Sequence, residues 1–269
     1  MSEKVRHILS LSGGKDSAAL ALYMRDRVPE MEYIFHDTGE ELPETYLYLS
    51  NLASKLGLTN IQRTRPDYNF RKWLEVYGGM VPSMQRRWCT RLLKLKPFED
   101  FVGNEPVINY VGIRADEERV GYISHKPNIK AVYPFREDGL VKADIIRILE
   151  ESGLGLPTYS NWGRTRSGCY FCFYQQKIEW VGLKEVHPDL FAEAKKFEYA
   201  NKKNGNAFYW NDDESLEEIE QPERMAEIKQ DWEEKQKHRK TRSSKLVHIL
   251  GALEDDEEEE REGCLICQI

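Results

Sequence analysis

The stretch LSLSGGKDSAALALYM, from Leu9 to Met24, joins an apolar run to a glycine turn and then to a helical pattern. The apolar run predicts a strand at Val5–Ser12, and the alanines and leucines after the turn predict a helix at Lys15–Asp26. A strand, Ser-Gly-Gly and a helix amino terminus bring several backbone N–H groups to one point, where the glycines let a ligand approach the backbone. The turn therefore predicts an anion-binding site.

The side chains of this turn are also suited to binding an anion. Lys15 supplies positive charge, Ser12 and Ser17 supply hydroxyl donors, and Asp16 is suited to positioning magnesium. The spacing GxxxxGK[ST] of the common nucleoside triphosphatase loop is absent, and so is GxGxxG. The plain alternative is a glycine turn with a lysine above it.

Strand and helix patterns alternate over the first part of the chain, which is typical of a parallel sheet covered by helices on both faces. The expected fold class is therefore α/β, with a helical carboxyl-terminal subdomain. We expect a nucleotide-binding α/β domain at residues 1–157, a cysteine-containing loop and helical subdomain at 158–240, and a flexible tail at 241–269. The expected elements are strands at Met31–His36, Asn60–Thr64 and Pro106–Ile113 and helices at Pro43–Gly57, Lys142–Ser152, Lys177–Glu185, Pro188–Asn201 and Pro222–Lys240.

The charge of the chain is unevenly distributed. The run Glu254–Glu262 accounts for the whole formal net charge of -7. It holds eight acids and one arginine, and -8 + 1 = -7. The basic stretch Lys235–Lys245 either follows a nucleic-acid backbone or pairs with that acidic run. The first residues lack a secretory signal and no apolar run of about 18 residues is present. We therefore expect a cytoplasmic protein with no membrane contact.

Two further loops follow predicted strands. Asp37 and Thr38 follow the second strand, and GIRADEER, from Gly112 to Arg119, overlaps the end of the fourth. Open parallel sheets bind ligands at the carboxyl ends of their strands. These loops are therefore expected to lie beside the glycine turn.

Together, SGGKDS, HDTGEELPET, RRWCTRLLKLKP, GIRADEE, the YPF segment with the helix after it, and SGCYFC resemble the phosphoadenosine phosphosulfate (PAPS) reductase superfamily, over about Val5 to Glu198. The resemblance implies an adenine nucleotide alpha-hydrolase fold and a loop that holds the outer phosphates of ATP. It is nearest in motif to the phosphorothioation-type sulfurtransferases, because the intact SGGKDS is typical of members that adenylate a substrate. It implies catalytic roles for Lys15, Asp16 and Cys169 and nucleotide contacts from Ser12, Gly13, Gly14, Lys15, Asp16, Ser17, Asp37, Thr38, Gly112, Arg114 and Glu117.

The chain has five cysteines, and in a reducing compartment such clusters more often bind metal or act in catalysis than form disulfides. The spacing of Cys169 and Cys172 lets both sulfurs face one centre. The resemblance places Cys89 close to this pair, and three thiolates can hold a 4Fe-4S cluster with one iron open. Zinc and a purely structural role are the alternatives, and the role of Cys264 and Cys267 stays open.

Arginines flank these cysteines and are expected either to lower the pKa of the thiols or to hold a phosphate backbone: Arg86, Arg87, Arg91, Arg164 and Arg166. Trp162 is expected to be a packing anchor, with base stacking as the alternative. His187 has no partner that the sequence identifies.

The leading hypothesis is an ATP-dependent sulfurtransferase that uses ATP, Mg²⁺ and a cysteine-bound 4Fe-4S or zinc centre. Its substrate would be a nucleic acid (DNA or tRNA) or a nucleotide, and its sulfur donor a protein such as a cysteine desulfurase. The alternatives are a sulfonucleotide reductase and a non-catalytic nucleotide-binding subunit of a larger assembly. An oligomer is compatible with each of them.

Overall fold

The computed structural model describes residues 5–118, 121, 124, 126–202, 209–211 and 214–243, and for residues 199–202 and 238–243 it describes the backbone alone. Its centre is a sheet of five parallel strands in the order β3-β2-β1-β4-β5. The strands are β1 Arg6–Leu11, β2 Glu32–His36, β3 Gln62–Thr64, β4 Val107–Tyr110 and β5 Ile129–Val132. The sequence predicted the first four strands, and β5 is an addition.

Helices follow most of the strands, which confirms the expected α/β class and the helical carboxyl-terminal region. The structure adds helices between β3 and β4 that the sequence did not predict. The helices are α1 Lys15–Met24, α2 Pro43–Lys55, α3 Phe70–Val76, α4 Trp88–Thr90, a π-helical turn Arg91–Leu95, α5 Lys96–Val102, α6 Pro134–Glu137, α7 Lys142–Glu151, a 3-10 turn Thr158–Trp162, α8 Lys177–Val186, α9 Pro188–Lys202, α10 Leu216–Ile219 and α11 Pro222–Ser243.

The apolar side chains of β1 alternate between two cores because successive residues of a strand face opposite sides of the sheet. Leu9 and Leu11 pack with residues of α1, α2 and α7 on one face. Ile8 packs with Phe98 and Val102 of α5 on the other face. Each fully buried side chain of this size contributes about 1.5–3 kcal/mol. Burial on both faces explains why β1 reads as a continuous apolar run.

The helical region has a separate aromatic core that joins distant parts of the chain. Phe70 of α3 contacts Phe171, with ring centroids 4.2 Å apart, and Phe171 stacks on Trp210 at 5.1 Å. Trp88 stacks on Phe70 at 5.2 Å. This core therefore includes residues from both sides of residue 157, and the boundary expected there stays a prediction.

The strand order places a change of chain direction beside β1. The chain runs outward from β1 to β2 and β3 and then returns to β4, which pairs with the other edge of β1. Open α/β sheets bind ligands at the carboxyl ends of strands at such a point. The loops after β1 and β4 flank it.

Within the residues described, no helix has both the length and the apolar character that a membrane span requires. The acidic run Glu254–Glu262 and the cysteines Cys264 and Cys267 lie outside the described residues, as does the end of the basic stretch Lys235–Lys245.

Candidate active site

The turn after β1 is organised by two serine hydroxyls. Ser12 Oγ and Ser17 Oγ lie 3.1 Å apart, and Ser17 Oγ accepts from the Ser12 N–H at 3.2 Å. Ser12 Oγ also accepts from the Gly14 N–H at 3.3 Å, and α1 begins at the next residue. The hydroxyls and the first turn of α1 thus form a cradle of polar groups, and the predicted binding of an anion there stays a prediction.

Gly13 has to be glycine for two reasons. Its φ is 76°, in the left-handed region that other residues adopt at a cost. A Cβ at this position would lie 2.4 Å from Thr45 Cγ2 of α2. Helix α2 therefore packs directly against the turn.

Asp16 is a buried carboxylate held between two cations. Its Oδ2 accepts from Lys15 Nζ at 2.7 Å and its Oδ1 accepts from Arg114 Nη1 at 3.0 Å. Burial opposes the charged form, but Lys15 and Arg114 outweigh it and hold the pKa of Asp16 below its ordinary value. Asp16 therefore holds Lys15 and Arg114 in position, and its predicted role in positioning magnesium stays a prediction.

The loop after β4 contacts Asp16 through Arg114 and Gly112. Arg114 is 2% exposed and forms ion pairs with Asp16, with Asp116 at 2.9 Å and with Glu117 at 2.7 Å. Gly112 lies so close to α1 that a Cβ would stand 3.1 Å from the Asp16 carbonyl oxygen. The structure therefore places Arg114 and Glu117 beneath the turn, where they position Asp16, and their predicted contact with nucleotide stays a prediction.

Asp37, at the end of β2, is buried in a network of donors. It accepts from the Gly39 N–H at 3.0 Å and from Tyr46 Oη at 2.8 Å. Arg63 and Arg65 approach its other oxygen at 3.4 and 3.5 Å. The carboxylate orders the loop after β2.

The three described cysteines line one pocket with a volume of about 40 Å³. Thr38 lies there too, and its Oγ1 is 3.4 Å from Cys169 Sγ and donates to Glu41 Oε1 at 2.6 Å. Thr38 therefore faces the thiol pocket. The predicted proximity of Cys89 to Cys169 and Cys172 agrees with this shared pocket.

Burial, and next the Glu41 carboxylate, raise the pKa of the Cys169 thiol well above its ordinary value. The expectation that flanking arginines lower the pKa of this thiol is therefore wrong for Cys169. Arg164 does not face the thiol, because it is 1% exposed and donates to the carbonyl oxygens of Cys169 at 2.8 Å and Gly168 at 3.4 Å. Arg164 holds the backbone turn around the cysteines from inside.

The three thiols of the pocket have the chemistry of metal ligands but not the arrangement of a metal site. Thiolates suit an iron–sulfur cluster or zinc, and three of them share the pocket. Among the residues described, however, no group of three or more His, Cys, Asp or Glu side chains is placed to hold a metal ion. As arranged, the thiols of Cys89, Cys169 and Cys172 do not form a complete coordination site.

The cysteine segment, residues 164–172, contacts both the turn after β1 and the loop after β2. Tyr159 Oη, in the 3-10 turn just before it, donates to the Gly13 carbonyl oxygen at 3.2 Å. A Cβ on Gly14 would lie 3.0 Å from Ser167 Oγ. Cys169 forms a β-bridge with Glu41, and the Tyr170 N–H donates to the Glu40 carbonyl oxygen at 2.9 Å.

The cradle and the thiol pocket are therefore neighbours held by direct contacts. No sequence pattern had indicated a role for Tyr159, Glu41 or Ser167. For two of these residues the sequence offered only nearness to a motif: Ser167 precedes GCYFC, and Glu41 lies in the same motif as Asp37.

Trp162 and His187 meet at one carboxylate. Glu44 Oε1 accepts from Trp162 Nε1 at 3.1 Å and lies 2.7 Å from His187 Nε2. Trp162 also packs against Gly182, where a Cβ would stand 2.5 Å from its carbonyl oxygen. This contact agrees with the expected packing role for Trp162 and gives His187 the partner that the sequence could not identify.

Comparison with known proteins matches residues 6–129 to the family described as the phosphoadenosine phosphosulfate reductase domain. The chain is 27% identical over 244 residues to an uncharacterized protein of Methanocaldococcus jannaschii, covering 85% of this chain and 55% of that protein. A second uncharacterized protein of this archaeon is 29% identical over 218 residues, covering 75% of this chain and 44% of the other. The chain thus spans about half the length of these two relatives.

Two further similarities come from phage and from a solved structure. An uncharacterized nin region protein of Escherichia phage lambda is 27% identical over 209 residues, covering 66% of this chain and 68% of that protein. The crystal structure of the phosphoadenylyl-sulfate reductase from Candida auris superposes with a TM-score of 0.50 at 16% identity, covering 62% of this chain and 82% of the reductase. That likeness shows the fold, and the family match shows that residues 6–129 are similar to the phosphoadenosine phosphosulfate reductase domain.

Proposed function

We propose that this protein is an ATP-consuming transferase that adenylates an oxygen atom of its substrate, releases pyrophosphate and then replaces that oxygen with sulfur. The observation that carries the proposal is the contact between the cradle and the segment that holds the cysteines. The Ser12–Ser17 cradle touches the cysteine segment through Gly14 and Ser167.

The residues of the cradle suit the first step. The N–H groups and hydroxyls of Ser12 and Ser17 would hold the outer phosphates, and Lys15, which reaches the same surface, would offset charge that develops on the leaving pyrophosphate. Arg114 would keep Asp16 fixed beneath Lys15. Transfer of AMP turns a poor oxygen leaving group into a good one.

The thiol pocket suits the second step. Cys169 would receive the outer sulfur of a persulfide from a donor protein such as a cysteine desulfurase, and that sulfur would displace AMP from the adenylated atom. The Cys172 thiol, which lines the same pocket, would then break the S–S bond to Cys169, and an external dithiol would reduce the resulting Cys169–Cys172 disulfide. An iron–sulfur or zinc centre on Cys89, Cys169 and Cys172 belongs to the proposal only as a question for metal analysis, since the thiols do not converge as a coordination site.

The family match favours one alternative, reduction of a sulfonucleotide. In that reaction a thiol attacks the sulfur of the substrate, and sulfite leaves after reduction by a second thiol. A reductase has no need to split ATP, so the two functions differ in a measurable product.

The test is an assay of pyrophosphate release from ATP by anaerobically purified protein, supplied in turn with oligonucleotides and nucleotides as candidate acceptors. Pyrophosphate in equal amount to AMP, lost in Asp16→Ala, supports the proposal. Release that persists in Asp16→Ala, or sulfite formed from phosphoadenosine phosphosulfate without any use of ATP, would reject it. Iron, acid-labile sulfide and zinc are measured on the same wild-type and Cys89→Ala preparations.

A further inference from the structure

Residues 62–96, called here the basic segment, concentrate positive charge beside the site. The segment holds nine lysines and arginines and two acids, so its formal charge is 9 - 2 = +7, whereas the whole chain carries -7. Such a local excess creates a surface potential that attracts polyanions, whatever the net charge of the molecule.

The arginines of this segment border both halves of the site. Arg63 and Arg65 approach Asp37 at the end of β2, at 3.4 and 3.5 Å. On the other side, the Arg87 guanidinium lies 5.4 Å from the ring centroid of Tyr174, which lines the thiol pocket. A polyanion bound along this segment would therefore lie beside both Asp37 and the thiol pocket.

Several of these cations are open to solvent. The Arg65 side chain is 74% exposed and that of Arg63 is 48% exposed. Arg86 and Arg91 are exposed as well, and among the described residues neither has a carboxylate partner within ion-pair distance. The outer phosphates of one ATP already have Lys15 and the cradle, so these additional cations fit a longer chain of phosphates.

Exposed aromatic rings are interleaved with the cations. Tyr68 is 51% exposed and Tyr77 is 40% exposed. They belong to one row of rings, in which Trp73 lies 5.5 Å from Tyr68 and 6.3 Å from Tyr77, and Tyr77 stacks on Trp88 at 5.1 Å. Stacking of bases on aromatic rings combined with a cationic groove is how single strands are bound without sequence preference.

We propose that the basic segment binds a single-stranded nucleic acid, with its phosphates on Arg86 and Arg91 and a base on Tyr68. An acidic protein would satisfy the charges but would leave the exposed rings without a matching partner. This inference rests on the proposed function in one respect: the bound nucleic acid would be the substrate of the transferase. Binding itself is measured without ATP.

The experiment is fluorescence anisotropy of the full chain with labelled single-stranded DNA and RNA of about 20 nucleotides, at salt between about 0.05 and 0.2 M. Saturable binding is expected, with an affinity that falls as salt rises. The double variant Arg86→Glu/Arg91→Glu should bind at least about ten-fold more weakly and lower the salt slope by about 1.4, since each phosphate contact on a single strand contributes about 0.7. Tyr68→Ala should weaken binding about five-fold with the salt slope unchanged.

Arg147→Glu is the matched control, because Arg147 is a 61% exposed arginine on α7, which packs on the opposite face of the sheet from α5. It should change the affinity less than two-fold, and urea midpoints check that each variant folds. The inference is overturned by absence of binding at about 0.05 M salt, by an equal loss in the control, or by equal displacement with polyglutamate of matched length. Pyrophosphate release is measured separately. ATP use without oligonucleotide binding would reject nucleic-acid binding by the basic segment alone. Oligonucleotide binding without ATP use would reject the proposed function alone.

Discussion

Asp16 and Gly13 show how narrowly single residues determine the cradle. The Asp16 carboxylate fixes Lys15 and Arg114, which link the loops after β1 and β4. Gly13 allows the turn to pass within van der Waals distance of α2. Neither residue needs to touch a ligand to be essential for the shape of the site.

Gly13→Ala should destabilise the protein by about 2–4 kcal/mol, because left-handed strain contributes about 1 kcal/mol and the steric clash contributes about 1–3 kcal/mol. Its control is Gly57→Ala, at a φ of 71° with no atom within 4 Å of the added Cβ. The control has the backbone strain but no steric clash, so its free energy of unfolding should fall by about 1 kcal/mol. Urea unfolding of both variants measures the difference, and equal losses would show that α2 yields to the added methyl group.

Tyr159→Phe should lower the free energy of unfolding by about 0.5–1.5 kcal/mol, because the Gly13 carbonyl oxygen loses its donor. The same variant should weaken the binding of pyrophosphate, since the turn then has less support. Calorimetric titration with pyrophosphate provides the check. Unchanged affinity together with reduced stability would confine Tyr159 to a purely structural role.

His36 links three strands of the sheet on the face that packs against α5. Its Nδ1 lies 2.6 Å from Thr64 Oγ1 of β3 and its Nε2 lies 3.4 Å from Ser10 Oγ of β1. Burial, and next Lys94, lower the pKa of His36 to about 3. The ring is therefore neutral in the folded protein at ordinary pH.

This burial predicts a loss of stability in acid. Between an ordinary pKa of 6.5 and a folded pKa of about 3, the unfolded chain takes up a proton that the folded protein does not, so the free energy of unfolding falls as pH falls. Wild type should lose about 2 kcal/mol more than His36→Gln between about pH 7 and about pH 5, at about 1.4 kcal/mol per pH unit. Parallel urea curves for the two proteins measure it, and identical losses would contradict the prediction.

The cysteine segment is docked on the cradle as a unit, through Ser167 at Gly14 and through the bridge between Cys169 and Glu41. Pyrophosphate bound in the cradle should therefore slow alkylation of Cys169 and Cys172 by iodoacetamide, because it stabilises the docked segment. Mass spectrometry of the labelled peptides gives both rates. Lys15→Ala is the control, and protection that survives in this variant would place the anion elsewhere.

Much of the molecule could be predicted from local sequence patterns. Apolar runs followed by glycine turns predict β1 and α1, and the fold of Leu9–Met24 agrees with them. Strand β5 was missed because IKAV is only four residues long, and it is defined by pairing with β4 across the sheet. The helices at 88–102 were missed because their apolar residues are interrupted by lysines and arginines.

The site was predictable in its motifs but not in its contacts. SGGKDS predicts the cradle, whereas the burial of Arg114 among three carboxylates depends on residues that are far apart in sequence. The pKa of Cys169 could not be inferred from the charges of its sequence neighbours, since burial and Glu41 dominate it. Pairings between distant segments have no local signal, and for this reason Tyr159 and Ser167 were missed.

We propose that the turn after β1 holds the phosphates of ATP, and calorimetric titration of ATP into the purified protein is the test of this binding. Wild type should bind ATP, and Lys15→Ala should bind it at least about ten-fold more weakly, as expected for loss of a charge-assisted contact of about 1.5–3 kcal/mol. Lys130→Ala, on the exposed face of the edge strand β5, is the control and should bind as wild type does. Absence of ATP binding, or equal affinity in wild type and Lys15→Ala, would contradict the account.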